Sequence, residues 1–193
     1  IQAQGTRRVG RVKSFSFRLT HQFHRAQHTD VKSSSPSVLF VCLGNICRSP
    51  LAEGICLDEL EGRADADNVR VDSCGTSAWH AGEAPDPRSR EVALRHGIDI
   101  DSQRSRRLET SDFHDFEWIV AMDRSNAAGC QERAPDNSRA KIVCFMDYVP
   151  ASSIRDVPDP YYGGDNGFDT VFNLLRAGMG PLMDAVLSEP SGN

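Results

Sequence analysis

Two rhythms of apolar positions alternate from Ser37 to the end of the chain. Short β-rich runs stand at Ser37–Cys42, Val69–Cys74, Trp118–Met122 and Lys141–Phe145. The first, Ser-Val-Leu-Phe-Val-Cys, is apolar almost without interruption, which marks a strand covered on both faces. Helical stretches lie between them. Pro50–Glu61 reads as a helix with Ser49 as its N-cap and Pro50 in its first position. Arg88–His96 reads as a helix stopped by Gly97, and Asp123–Glu132 as another. Phe168, Val171, Phe172, Leu175, Met179, Leu182 and Val186 recur at three- and four-residue spacings, so Phe168–Leu187 forms one long amphipathic helix. Gly178, Gly180 and Pro181 predict a kink or break in it near position 180. A Gly/Pro-rich loop covers 75–87, and the proline-containing segment 146–165 reads as an ordered loop.

Strands that alternate with helices imply an α/β fold: a four-stranded parallel sheet flanked by helices on both faces. A chain of 193 residues suits one such domain, here 36–190, plus an appendage. In such sheets ligands sit at the carboxyl ends of the strands. Cys42 lies at one of those ends.

Charge separates the appendage from the domain. Residues 1–35 carry seven Lys/Arg and one acid, Asp30. Removing these from the totals of 22 and 27 leaves 15 basic and 26 acidic residues in 36–193, a net charge of −11. A body this acidic excludes nucleic acid as a partner. The basic segment ends in Ser33-Ser34-Ser35-Pro36 and reads either as an organelle transit peptide or as a disordered, dispensable tail. No stretch has the length of a membrane span or the apolar core of a secretory signal, so no membrane association is expected. The six cysteines (Cys42, Cys47, Cys56, Cys74, Cys130 and Cys144) are scattered among strands and helices. That usage fits an intracellular reducing compartment: the cytoplasm, or a plastid or mitochondrion if 1–35 is a transit peptide.

The chemistry gathers in Cys42-Leu43-Gly44-Asn45-Ile46-Cys47-Arg48-Ser49-Pro50. A short, glycine-containing loop between a strand and a helix can aim several backbone N–H groups at one anion. Cys42 would sit in the middle of that ring. The helix N-terminus, the N–H groups and Arg48 would all favour its thiolate, the best side-chain nucleophile near neutral pH. The planar fork of Arg48 can bind two phosphoryl oxygens and follow them into a transition state. Gly44 permits close backbone approach, and Asn45 can hold an unusual loop conformation. Ser49 could steady the thiolate as phosphocysteine breaks down. A leaving phenolate needs a proton, and Asp159, stiffened between Pro158 and Pro160, is the candidate acid. A phosphate dianion beside it would keep its carboxyl protonated. An ordinary turn aspartate would look the same in sequence.

These residues resemble the low-molecular-weight protein tyrosine phosphatases. The match rests on Cys42–Pro50 and on Asp159-Pro160-Tyr161-Tyr162-Gly163. Between them Val71-Asp72-Ser73, Gly75-Thr76, Trp79, Gly82, Asp86-Pro87-Arg88, His96-Gly97-Ile98 and Met122-Asp123 to Asn126 fall in the family's order. The resemblance spans roughly residues 37 to 188. It implies a four-stranded parallel sheet, hydrolysis of phosphotyrosine in protein substrates through phosphocysteine, and no metal or organic cofactor. By position, Cys42 is the nucleophile, Arg48 the phosphate clamp and Asp159 the acid, then base. Leu43, Gly44, Asn45, Ile46, Cys47 and Ser49 would contact the substrate, with Trp79, Tyr161 and Tyr162 walling the cleft around an aromatic ring; Trp79 could instead anchor its Gly-bounded loop to the core. Asn45, Ser49, Ser73 and His96 would form the hydrogen-bond network that supports the loop, and His96, just before Gly97, also reads as a helix C-cap. Cys47 would be able to form a protective disulfide with Cys42; a passive loop residue is the alternative. No second cysteine or histidine pair with ligand spacing accompanies them, so no zinc site is expected. Arg104, Arg106 and Arg107 read as a solvated face or a docking patch. The protein is expected to be a monomer or weak oligomer.

Three other activities fit parts of the pattern. Arsenate reduction on this scaffold needs relay cysteines some seventy to eighty residues after Cys42, and none stands there. A protein-arginine phosphatase resembles the same loop but carries a threonine where this chain has Ile46. A phosphate-binding module without turnover would not need Cys42, Arg48 and Asp159 together.

Overall fold

The computed structural model describes residues 35–64, 66, 68–161, 163–164 and 166–189. The expectations for the basic segment up to residue 34, and for Tyr162, lie outside the described residues. Four strands, β1 (Ser37–Cys42), β2 (Arg70–Gly75), β3 (Trp118–Ala121) and β4 (Lys141–Cys144), pair in parallel in the order β2-β1-β3-β4. The helices are α1 (Arg48–Glu61), α2 (Pro87–Arg95), α3 (Asp112–Asp115), α4 (Arg124–Gln131) and α5 (Gly167–Ser188). The expected α/β architecture is the observed one.

Every residue of β1 is buried, and its side chains alternate between two cores. Val38, Phe40 and Cys42 join the core built with α1, α2 and α5, where Phe172, Leu175, Met179 and Leu182 pack. Leu39 and Val41 join Phe113, Phe116, Ile119 and Cys130 on the opposite face. The period of two along a strand thus splits one apolar run between two layers of helices. Burying a Leu or Phe side chain contributes about 1.5–3 kcal/mol. The position of Cys42 is therefore fixed by a heavily stabilised strand.

The order β2-β1-β3-β4 reverses direction at β1. Chains leave β1 and β3 toward opposite sides, which opens a crevice above their carboxyl ends. Cys42 pairs with Gly75 at the end of β2. A Cβ on Gly75 would lie 2.7 Å from the Leu43 carbonyl oxygen and 3.2 Å from the Asn45 nitrogen. Only glycine allows the loop after β1 to fold down against the sheet there.

Several element boundaries differ from the sequence reading. Helix α1 begins at Arg48, with Cys47 at the N-cap position and no side-chain cap. Ser49 is therefore inside the first turn, and Pro50 takes a third-position slot whose missing N–H would have had no helical partner. Helix α2 is capped by Asp86, which accepts from Arg88 N, and ends at His96 before Gly97 with φ +80°. The short α3 and a 3₁₀ turn over Phe145–Tyr148 carry too few residues to show a period. Helix α5 continues through Pro181 without a break. Its mid-helix glycine has a packing reason: a Cβ on Gly178 would stand 2.8 Å from both Phe145 and Val149 side chains.

Candidate active site

The loop from Cys42 to Ser49 closes around the cysteine sulfur. Cys42 is 3% exposed. Its Sγ accepts the Asn45 backbone N–H at 3.2 Å and lies 3.1 Å from Ser49 Oγ. Asn45 adopts φ +54°, a left-handed conformation that asparagine tolerates better than most residues. Its side chain holds that turn in place. Nδ2 donates to Ser49 Oγ at 3.0 Å and to Ser73 Oγ at 2.9 Å, while Oδ1 accepts the Arg106 backbone N–H at 2.9 Å. Ser105 Oγ adds a bond to the Gly44 carbonyl at 3.0 Å. Further along, Asp86 N donates to the Ile46 carbonyl at 2.8 Å, and Ser89 Oγ to the Cys47 carbonyl at 3.3 Å.

The Arg48 guanidinium is buried and already anchored. Its Nη1 donates to Asp123 Oδ2 at 2.6 Å and to the Val157 carbonyl at 3.1 Å, and its Nη2 lies 3.6 Å from Asp159 Oδ2. Asp123 also caps α4 by accepting from Asn126 N at 2.6 Å. One carboxylate thus ties the switch-point helix to the phosphate loop. Asp159 accepts the Tyr161 N–H at 3.0 Å, a local turn that aims its other oxygen toward Arg48.

Together these groups line a cleft of about 160 Å³. Its wall includes Cys42, Leu43, Gly44, Ile46, Cys47, Arg48, Asp159, Trp79 and Tyr161, so nine of the site residues singled out in the sequence meet in one place. Trp79 is 76% exposed. It overhangs the mouth and does not anchor its loop to the core. Tyr161 stands against Arg88, whose guanidinium carbon is 5.4 Å from the ring centroid.

Cys47 is a buried free thiol, as is Cys42. Burial, and then the charges of Asp86, Cys42 and Asp159, push the Cys47 thiol up to about 12. Cys47 is therefore protonated at neutral pH and cannot compete as a nucleophile. Among the described residues no cluster of histidine, cysteine and carboxylate could hold a metal ion.

Two sequence expectations need correction. His96 closes α2 with its backbone, as its place before Gly97 predicts, but its ring stacks on Phe172 at 4.0 Å. The side-chain bonds of Asn45 run instead to Ser49, Ser73 and Arg106. The basic cluster is also divided. Arg106 turns inward to Asp72 at 2.9 Å and Asp112 at 3.0 Å, so it braces the loop and is no surface patch. Glu53 behind Ser73, and His80, which lines the cleft and pairs with Glu83 at 2.8 Å, have no place in the sequence reading, and Asp123 and Arg106 have none in its site. Only Asp123 carried a usable signal, as a helix-capping aspartate directly after a strand.

Comparison with known proteins bears on this arrangement. The family described as low molecular weight phosphotyrosine protein phosphatase matches residues 37–191. The chain is similar to the Schizosaccharomyces pombe low molecular weight phosphotyrosine protein phosphatase, with 48% identity over 139 residues that cover 72% of this chain and 88% of that one. The crystal structure of a protein tyrosine phosphatase from Entamoeba histolytica, with Hepes in the active site, superposes with a TM-score of 0.75 at 37% identity, covering 79% of this chain and 97% of that one. A Drosophila arginine phosphatase superposes with a TM-score of 0.74 at 29% identity, covering 79% and 98%. No helix among the described residues is long and apolar enough to cross a membrane.

Proposed function

The chain belongs to the low molecular weight phosphotyrosine protein phosphatase family, and we propose that it hydrolyses phosphotyrosine in proteins through a phosphocysteine at Cys42. The observation that carries the reading is the environment of one sulfur. Cys42 Sγ receives the Asn45 N–H at 3.2 Å and has the Ser49 hydroxyl at 3.1 Å, at the floor of a cleft that also holds Arg48 and Asp159. Donors aimed at a sulfur stabilise it as an anion.

In the first step the Cys42 thiolate attacks phosphorus in line with the ester oxygen. The S–P bond forms as the P–O bond breaks, and Asp159 gives its proton to the departing phenolate oxygen. Arg48, held by Asp123 and Val157, presents the rest of its guanidinium to the phosphoryl oxygens. In the second step water attacks phosphorus, Asp159 takes a proton from it, and the S–P bond breaks. The Ser49 hydroxyl then supports the departing thiolate. Trp79, Tyr161 and Ile46 give the cleft apolar walls suited to an aromatic ring.

The domain responsible is 36–190, and the basic segment before it is not required for chemistry. Six cysteines scattered among strands and helices, and not set out as a disulfide framework, support an intracellular reducing compartment. The test is turnover of phosphotyrosine peptides by the purified chain. Cys42→Ser is expected to abolish it, and quenched wild-type reactions should contain a phosphorylated Cys42 peptide by mass spectrometry. Full activity in the Cys42 variant would refute the mechanism. Assays beside phosphoarginine separate the tyrosine reading from the arginine one, which the apolar Ile46 in the cleft wall disfavours.

A further inference from the structure

We propose that Arg107 and Arg133 form a docking site for an acidic side chain of the protein substrate, a few residues along its chain from the phosphotyrosine. The proposal rests on the reading of the cleft as a phosphotyrosine site.

The observation is a pair of cations that an acidic domain leaves without counter-charges. Residues 36–193 carry a net charge of −11. Arginines there are commonly held by carboxylates, as Arg48 is by Asp123, Arg90 by Asp101 and Arg124 by Asp156. Of the three arginines grouped in the sequence, Arg106 turns inward to Asp72 and Asp112, and Arg104 donates to the Asp101 and Gln103 carbonyls, each at 2.7 Å. Arg107 is exposed, and so is Arg133, just past the end of α4. Among the described residues no carboxylate lies in ion-pair range of either one.

The two line a recess of about 530 Å³ together with Leu108, Glu109, Thr110 and Phe113. Glu109 offsets one positive charge and leaves one over. Arg133 is held in place by backbone: Nη1 donates to the Gly129 carbonyl at 2.6 Å and Nη2 to the Thr76 carbonyl at 3.4 Å. Carbonyls position the guanidinium without neutralising it. Leu108 and Phe113 are buried side chains that give the recess an apolar wall, and attraction between charges is stronger beside such low-dielectric surface.

The sheet sets the distance from the nucleophile. Cys42 pairs with Gly75, and Gly75 bridges to Arg107 on its other side. The Gly75 N–H donates to the Arg106 carbonyl and the Leu108 N–H to the Gly75 carbonyl, each at 2.8 Å. Thr76, which Arg133 bonds, follows Gly75 directly, so both arginines meet at this strand end. Neighbouring strands lie about 4.8 Å apart, which puts the Arg107 backbone about 10 Å from that of Cys42, at the same carboxyl end of the sheet. An extended peptide advances about 3.3 Å per residue, so a phosphotyrosine over Cys42 brings a side chain about three residues away to the recess. The domain as a whole repels an acidic peptide and this recess attracts it, which fixes the register in which such a substrate docks.

The test uses the full chain. It compares para-nitrophenyl phosphate with phosphotyrosine peptides that are neutral except for one glutamate, scanned along both flanks. At its best position glutamate should lower KM about fivefold, the upper range for an exposed ion pair. The rate at saturation should not change, and added salt should erase the gain. Arg107→Glu should abolish the preference for glutamate and favour lysine at the same position, while para-nitrophenyl phosphate turnover stays at the wild-type rate. Arg133→Gln should lose most of the preference; if thermal melting shows that variant unfolded, Arg107→Glu decides alone. A wild type indifferent to the scanned glutamate, or an Arg107→Glu variant that still prefers it, would overturn the docking site alone. Hydrolysis of para-nitrophenyl phosphate with no phosphotyrosine peptide turned over would refute the phosphotyrosine reading, and this proposal with it.

Discussion

Residues 42–49 and residues 155–161 face each other across one cleft, yet they are held by different means. In the first loop Asn45, Arg48 and Ser49 are buried, and neutral hydrogen bonds from Ser73, from Ser105 and Arg106, and from Asp86 and Ser89 lock the loop. In the second, Asp159 has a side-chain exposure of 41%, and Tyr161 is 44% exposed. There the backbone is pinned at Val157, which donates to the Met122 carbonyl at 2.8 Å and accepts from Arg48 at 3.1 Å. The phosphate side is thus preorganised, as electrostatic stabilisation of a fixed phosphoryl geometry requires. The acid side keeps its carboxyl in water and in reach of substrates of varied shape. The difference teaches that one active site can divide its labour: stability and chemistry are coupled on one wall and separable on the other.

The sharpest break of that comparison is at Asp159. Replacing it with asparagine removes a general acid, so turnover of an aryl phosphate should fall by about 10²–10⁴. Its stability in urea should stay within about 0.5 kcal/mol of wild type, because the site is exposed. On the other wall, Asn45→Ala leaves the Arg106 N–H and two serine hydroxyls without their partner. It should lower unfolding free energy by about 3 kcal/mol together with activity, measured by urea denaturation and initial rates. A stable, inactive Asn45 variant would contradict the coupling.

A smaller effect concerns Glu53, behind the buried wall. Its carboxyl is raised from 4.5 to about 7 on folding. The folded state therefore favours the protonated form: the stabilisation is complete below the unfolded value and is lost as pH rises through the folded one. Glu53→Gln should match wild type near pH 4.5 and exceed it above pH 7 by at most about 3 kcal/mol, a difference that thermal melts across pH would reveal. The smallest effect is at the mouth. Trp79→Ala should raise KM for phosphotyrosine peptides by up to about tenfold, with unchanged melting temperature, since the ring adds roughly 0.5–1.5 kcal/mol of aromatic contact.

What could be read in the sequence was what local rules govern. The strand Ser37–Cys42 is legible from end to end, because continuous apolarity has few other meanings. Gly97 and the long apolar stripe of α5 give boundaries to within a residue or two. The cleft was legible because Cys42 through Ser49 is contiguous. Errors arose where a contact spans the chain. Ser49 looked like a helix cap, but its hydroxyl is drawn to Cys42 and Asn45. Arg106 looked like part of a surface cluster, but Asp72 lies 34 positions away in sequence and in bonding range in space. Asp123 meets Arg48 across 75 positions. The resemblance links His96 to the loop network, whereas the fold keeps it as the cap of α2 and stacks its ring on Phe172. Pairings of this kind depend on which strands become neighbours, and no periodicity encodes that.

The missing side chain at Gly75 gives the site an Achilles heel one carbon atom wide. A methyl group there would collide with the Leu43 carbonyl at 2.7 Å, and it could be accommodated only by lifting the loop away from the sheet. Alanine at that position would therefore silence the protein by carpentry alone, leaving each chemical group of the cleft in the sequence and none of them in register.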